Sequence, residues 1–240
     1  MSSPRFRVRR VVTTREGGAS IAPYDSFNLG EHVGDEPAAV AANRARLADE
    51  LGLGRDRLVW MEQVHSRTVA TVDGPVPEPL EVTDGLVTAT PGLALVAMAA
   101  DCVPVLLGDE HAGVVGAVHA GRVGARLGIV GAALEAMVAA GAQVERISVL
   151  LGPAVCGKCY EVPPAMAADV ERHVPGSRSR TRAGTTGLDI RAGLRRQLLE
   201  AGVAGVAQDP RCTLESRELF SHRRGAPTGR LAGVVWAEPL

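Results

Sequence analysis

Residues 93–121 read Leu93-Ala94-Leu95-Val96-Ala97-Met98-Ala99-Ala100-Asp101-Cys102-Val103-Pro104-Val105-Leu106-Leu107-Gly108-Asp109-Glu110-His111-Ala112-Gly113-Val114-Val115-Gly116-Ala117-Val118-His119-Ala120-Gly121, and this stretch decides the architecture. Three short apolar runs, Leu93 to Met98, Val103 to Leu107 and Val114 to Val118, are bounded by Pro, Gly and Asp, which is how buried strands read. The segments between them are too short for a crossover helix, so the sheet is expected to be mixed rather than wholly parallel. Cys102 and His119 fall at the ends of two of these runs.

Working toward the N-terminus, Val8 to Thr13 reads as a strand, and Gly17-Gly18 opens a loop that runs through Asn28-Leu29-Gly30. A helix follows, with Asp35 as N-cap, Pro37 in the first turn, Val40, Leu47 and Leu51 as its apolar stripe, and Gly52 as its stop. Leu58 to Val64 and Thr68 to Val72 read as strands, which would put His65 at a strand end facing a loop. The proline-rich segment Gly74 to Pro79 reads as a surface excursion rather than a domain boundary.

Toward the C-terminus, Arg126 to Ala140 reads as one helix with Ile129, Val130, Ala133, Leu134, Met137 and Val138 on one face and Gly141 as its cap. Ile147 to Leu151 is a strand that runs into Gly152-Pro153, helices are expected over Pro164 to His173 and Asp189 to Ala201, and Leu231 to Trp236 closes the chain as a strand. No internal repeat is evident. Residues 1–240 therefore read as one compact α+β domain.

Apolar residues make up 46% and charged residues 22%, and the formal net charge is -1, so the composition is that of a soluble globular protein without a nucleic-acid footprint. Arginine supplies nearly all the positive charge, Lys158 being the sole lysine, which reads as composition bias rather than binding design. The twin arginine Arg9-Arg10 is not followed by a signal-peptide core, and the run Leu93 to Ala100 is far short of a membrane span. A cytoplasmic protein acting as a monomer is expected. Four cysteines in a chain of this size read as thiols or ligands, not as a disulfide scaffold.

His65, Cys102 and His119 form a candidate metal set, carried by Met-Glu-Gln-Val-His, Ala-Asp-Cys-Val-Pro and Ala-Val-His-Ala-Gly. Two imidazoles and a thiolate suit zinc, and three protein ligands leave a fourth tetrahedral position open, as catalytic sites do. Taken singly, each residue reads more readily as a partly buried strand-end histidine or a small core cysteine than as a ligand. Their shared placement beside turns is what favours convergence. Asp101 would point away from Cys102 and support the geometry around it, whereas Gln63, on the same face as His65, is placed to reach a substrate.

Cys156-Gly157-Lys158-Cys159 lacks both a thioredoxin-like surround and a second knuckle, so it reads as thiols near a site rather than as ligands; Lys158 keeps a reactive-thiol reading open. Arg122, Arg223 and Arg224 are planar forks suited to phosphate, although paired arginines are usually a solvated face.

With these motifs assembled, the chain resembles the YfiH-like laccase-domain family, also named for peptidoglycan editing factor, polyphenol oxidase and purine nucleoside phosphorylase activities. The match runs from Asn28-Leu29-Gly30 and Val33-Gly34-Asp35 through Gln63-Val64-His65, Thr83-Asp84-Gly85, Ala100 to Leu107, Val118-His119-Ala120-Gly121, Gly152-Pro153, Tyr160-Glu161-Val162, Arg211-Cys212-Thr213 and Ser221-His222-Arg223-Arg224 to Thr228-Gly229-Arg230. The resemblance implies layered mixed sheets covered by helices and a zinc site at His65, Cys102 and His119. It also implies phosphorolysis of adenosine, inosine and methylthioadenosine, with adenosine deamination as a second activity. The family's His-Ala-Gly-Trp-Arg-Gly is replaced here by His119-Ala120-Gly121-Arg122-Val123-Gly124, and its Ser-Tyr-Arg-Arg-Asp by Ser221-His222-Arg223-Arg224-Gly225.

Three other readings stay open. One is a hydrolase that edits cell-wall precursors with Cys102 as nucleophile and a histidine as base. Another is a copper-dependent polyphenol oxidase with Met61 or Met98 as a distant ligand, although six histidines and no His-x-His do not build a multicopper centre. The last is a metal-binding module without catalysis.

Overall fold

The apolar run 93–121 folds into three consecutive strands whose alternating side chains face two different layers. In the computed structural model, which describes residues 5–240, these are β5 (Ala94–Ala99), β6 (Val103–Asp109) and β7 (Val114–Ala120), every residue of them buried. The expected domain of residues 1–240 thus begins with four residues outside the described ones. In chain order the remaining elements are β1 (Phe6–Val12), α1 (Pro37–Leu51), β2 (Leu58–Val59), β3 (Val69–Thr71) and β4 (Gly85–Thr88) before that run. After it come α2 (Arg122–Arg126), α3 (Ile129–Ala139), β8 (Ser148–Leu151), α4 (Pro164–His173), β9 (Arg178–Arg180), β10 (Thr186–Leu188), α5 (Ile190–Glu200), β11 (Gly205–Gln208) and β12 (Leu231–Pro239).

A six-stranded mixed sheet has the order β11-β8-β6-β7-β4-β3, and a four-stranded mixed sheet the order β1-β12-β5-β2; β9 and β10 form a separate ribbon. Period-two alternation sorts the core. Leu106, Val115 and Ala117 of the larger sheet meet Leu95, Ala97 and Val235 of the smaller one, so the two sheets pack face to face. Val105, Leu107 and Val118 point the other way, against Leu134 and Met137 of α3 and Leu194 and Leu198 of α5. Val96, Val234 and Trp236 point outward from the smaller sheet onto Leu47 and Ala48 of α1. The result is a single α+β domain of helix, sheet, sheet and helix layers.

Several local expectations are corrected. Glu36, not Asp35, occupies the N-cap of α1 and makes no side-chain cap bond; Asp35 instead accepts from Asn28 Nδ2 at 2.9 Å and from the Glu36 amide at 2.8 Å. The helix expected over Arg126 to Ala140 is α3, which begins only at Ile129 because Gly128 turns into the left-handed region at φ 85°, and the short α2 before it was not expected. Val138 is exposed rather than inward. The strand expected over Leu58 to Val64 ends at Val59, so His65 lies in a loop. β4, β9, β10 and β11 are short strands that periodicity passes over.

The register positions the site. β6 and β7 pair antiparallel from Asp109 opposite Val114 to Val103 opposite Ala120, so Cys102 emerges just beyond the last pair while His119 sits one step inside it. β7 also pairs with β4, Gly85 opposite Val118, which places Asp84 beside His119 and lets its carbonyl accept the His119 amide at 2.8 Å.

Candidate metal centre

His65, Cys102 and His119 converge at the β6–β7 end, their ligand atoms all within 4.8 Å of one another. Cys102 Sγ lies 3.7 Å from His65 Nε2, and the two imidazole rings pack edge to face with centroids 4.8 Å apart. Separations of this size fit a zinc-type ion about 2.0–2.3 Å from each donor, with only small side-chain adjustments.

Asp84 organises both histidines. Its fully buried carboxylate accepts from His119 Nδ1 at 2.8 Å, from the amides of Val64, His65 and Ser66 at 3.2, 3.0 and 2.6 Å, and from the Ser66 hydroxyl at 2.8 Å. Holding the proton on Nδ1 leaves His119 Nε2 with its lone pair for a metal. The three amide bonds also hold the loop that presents His65 at φ 63°, a left-handed backbone that costs a non-glycine residue about 1–3 kcal/mol. Asp101, at φ 94°, is held likewise: its carboxylate accepts from the Thr213 hydroxyl at 2.6 Å and the Arg223 amide at 2.8 Å. Asp101 therefore supports the backbone at Cys102, although it lies in the loop before β6 and lines the same cavity rather than pointing away from it.

Gly121 closes the set from behind. A Cβ there would lie 2.8 Å from Cys102 Sγ and 2.8 Å from His65 Cδ2, so a side chain at this position would intrude on the ligands. The electrostatics are those of a thiolate beside an imidazolium. Burial disfavours charge on both groups, yet His119, with His65, draws the Cys102 thiol down to about 6, and Cys102 together with Asp84 raises His119 to about 9. Burial likewise works against the Asp84 carboxylate, but its bonds from His119 and Ser66 hold it at about 2. A metal entering here would displace the extra proton of the imidazolium, leaving the Cys102 thiolate and a neutral His119 as donors.

The ligands open into a cavity of about 330 Å³, within the range of small-molecule sites. Arg122, Arg223, Arg230, His32, His222 and Tyr160 contribute to its wall. Arg223 lies over the Tyr160 ring, 4.3 Å from its centroid, and donates to the Glu161 carbonyl at 3.3 Å. Gln63 also lines the cavity, but its amide is engaged with β5, donating to the Met98 carbonyl and accepting from the Met98 amide at 2.8 Å each. Arg224 does not join the wall. Its guanidinium donates to the carbonyls of Thr213 at 2.8 Å, Ser216 at 3.0 Å and Leu219, so it braces its own loop.

Asp84, His32, Arg230 and Tyr160 belong to the site without having been singled out for it from the sequence. Asp84 sits in the motif Thr83-Asp84-Gly85, and that motif is the signal the sequence offers for it, since β4 behind it is not legible from periodicity.

The family model described as multi-copper polyphenol oxidoreductase laccase matches residues 9–238. The chain belongs to this family. A Mycobacterium tuberculosis relative named purine nucleoside phosphorylase is 61% identical over 232 residues, covering 97% of this chain and 93% of its own length. A Corynebacterium glutamicum relative bearing the same name is 59% identical over 236 residues, covering 97% and 96%. Among solved structures, the Bacillus licheniformis hypothetical protein YfiH superposes with a TM-score of 0.88 at 30% identity, covering 98% of this chain and 97% of that one. The resemblance read from the motifs is therefore borne out, for family and for fold. No helix among the described residues is long and apolar enough to cross a membrane.

Proposed function

We propose that this chain is a zinc-dependent purine nucleoside phosphorylase acting on adenosine, inosine and methylthioadenosine, with adenosine deamination as a second activity. The observation that carries the reading is one cavity lined both by the open His65, Cys102 and His119 set and by three arginines, Arg122, Arg223 and Arg230. The names of the two bacterial relatives support it. Phosphorolysis forms a bond from a phosphate oxygen to the ribose C1′ while the C1′–N9 bond breaks, its electron pair leaving with the purine, which then takes up a proton. Planar arginine forks bind phosphate through paired, charge-assisted hydrogen bonds and hold it against C1′.

Burial chiefly, then the charges of Arg230 and Arg44, keeps His32 below the ordinary histidine value. A neutral imidazole there bonds to substrate without adding to the positive charge that phosphate meets. His65, Cys102 and His119 would hold zinc, which supplies a Lewis acid at the fourth, open position. Gln63 keeps the wall in place through Met98. This reading asks for no second copy of the chain to supply a ligand, since His65, Cys102 and His119 suffice for an open set.

Deamination ranks second because nucleobase deaminases of the zinc type use a free glutamate as proton carrier. The one carboxylate in this cavity wall is Asp101, already bonded to Thr213 and Arg223. Incubation of purified protein with adenosine, with and without phosphate, separates the reactions by product: adenine and ribose 1-phosphate, or inosine and ammonia. Neither product above a metal-stripped control overturns both.

One observation favours a second reading. Asp84 bonds to His119, and Cys102 Sγ stands within 4.8 Å of both histidines, the members of an acid–base–thiol constellation that would serve a hydrolase that edits cell-wall precursors. That reading requires the metal-stripped protein to turn over a muropeptide and to leave nucleosides untouched. For copper the same three ligands would serve; Met98 lines the cavity, whereas Met61 is buried in the core between the sheets.

A further inference from the structure

A second cluster of soft donors lies outside the cavity. Cys156, Cys159, Cys212 and Glu215 place one ligand atom each within 4.8 Å of all the others. The sequence supplies two equal spacings, Cys156-Gly157-Lys158-Cys159 and Cys212-Thr213-Leu214-Glu215, so the second knuckle that the first pair lacked is made of a cysteine and a glutamate.

The two segments also share a backbone shape. The Cys156 carbonyl accepts from the amides of Cys159 and Tyr160, both at 2.9 Å; the Cys212 carbonyl accepts from those of Glu215 at 3.1 Å and Ser216 at 2.8 Å. Each is a tight turn that brings its first and fourth side chains to one side. The turns are docked together: Ala154 and Cys212 form a parallel bridge, the Thr213 amide donates to the Ala154 carbonyl at 3.2 Å, and the Cys156 amide donates to Cys212 Sγ at 3.4 Å. An amide aimed at a sulfur stabilises a thiolate.

Neighbouring groups hold this arrangement. The buried Arg191 donates through Nη1 to the carbonyls of Asp209 at 2.5 Å and Arg211 at 3.0 Å, fixing the strand of chain that delivers Cys212. Cys159 Sγ donates to Glu215 Oε1 at 3.3 Å, and Arg182 Nε donates to the same oxygen at 3.0 Å, leaving the second carboxylate oxygen for another partner.

We propose that Cys156, Cys159, Cys212 and Glu215 form a second, structural zinc site, closed by four protein ligands. Three thiolates and a carboxylate are the soft and borderline donors that zinc takes in tetrahedral sites, and at a Zn–S distance of about 2.3 Å the sulfurs would stand about 3.8 Å apart. The donors need to close by only about 1 Å to reach that geometry. Each thiol gives up its proton to solvent as zinc enters, and the Arg182 cation paired with Glu215 offsets part of the negative charge left on the cluster. The site staples the loop after β8 to the loop before β12. Thr213, inside the second turn, donates to Asp101, so the staple stands directly behind the backbone of Cys102.

The assignment is independent of the reaction in the cavity, and metal counting tests it. Protein purified under reducing conditions is expected to carry about two zinc equivalents per chain, and His65→Ala/His119→Ala about one, still resistant to mild chelation. Cobalt in place of zinc in that double variant should give the intense thiolate-to-metal absorption of a sulfur-rich tetrahedral site. X-ray absorption at the zinc edge of the unmutated protein needs no variant to fold: it should average about two sulfurs per zinc, against about one if only the cavity is filled. A double variant devoid of metal, an average of one sulfur, or a disulfide among these cysteines under the same conditions would overturn the proposal.

Discussion

Asp84 Oδ1 accepts the Nδ1 proton of His119 at 2.8 Å, while the same carboxylate takes the amides of Val64, His65 and Ser66. One buried acid thus sets the tautomer of one candidate ligand and the backbone of another. Replacing Asp84 by Asn keeps the size and removes the charge that favours this arrangement. The account expects Asp84→Asn to lower zinc affinity by about 10–100-fold, with the fold retained, in a competition titration against a chelator. An unchanged affinity would separate Asp84 from the metal.

The thiolate at Cys102 gives a pH signature in the metal-free protein. Its thiol is drawn down from the ordinary cysteine range to about 6, so the reactive thiolate is present at neutral pH and is lost as pH falls through about 6. Alkylation at Cys102 followed by mass spectrometry should rise with pH around a midpoint near 6. Unfolded protein, where the thiol regains its ordinary value near 8.5, should shift that midpoint up by two units or more.

Gly121→Ala adds one methyl group at φ -77°, a conformation any residue adopts, so backbone strain plays no part. The methyl would stand 2.8 Å from Cys102 Sγ. Zinc content of the cavity site is expected to fall at least tenfold at limiting metal, with a melting temperature close to that of the parent.

Two adjacent arginines should behave differently. Arg223 lines the cavity, so Arg223→Ala is expected to raise the KM for phosphate by about 10–100-fold, the worth of a charge-assisted hydrogen bond. Arg224 is spent on backbone carbonyls of its own loop. Arg224→Ala should leave the phosphate KM nearly unchanged and cost about 1–3 kcal/mol of stability, read by urea unfolding.

That contrast marks where sequence reasoning stops. The central strands are legible because Val105, Leu106 and Leu107 are apolar on both faces and bounded by turn residues, and the ligands follow because Cys102 and His119 stand at the ends of those strands. His65 is legible as a ligand but not in its conformation: the strand expected through Val64 gives way to a loop folded around Asp84, a partner 19 residues away. Gly128 falls inside the helix expected from Arg126, yet its left-handed backbone separates α2 from α3. Arg223 and Arg224 cannot be told apart by type, because only the packed loops decide which guanidinium faces the cavity. The Cys156 pair looked incomplete for a similar reason, its partners Cys212 and Glu215 lying more than 50 residues further on.

The central claim, phosphorolysis at the His65, Cys102 and His119 cavity, is tested most directly by measuring ribose 1-phosphate and free purine together for zinc-loaded protein and for Cys102→Ser, each supplied with inosine and phosphate. The account predicts the two products in equal amounts from the parent protein, a requirement for phosphate, and a loss of at least 100-fold in the variant while it stays folded. Purine release that continues without phosphate, or undiminished turnover by Cys102→Ser, would contradict it.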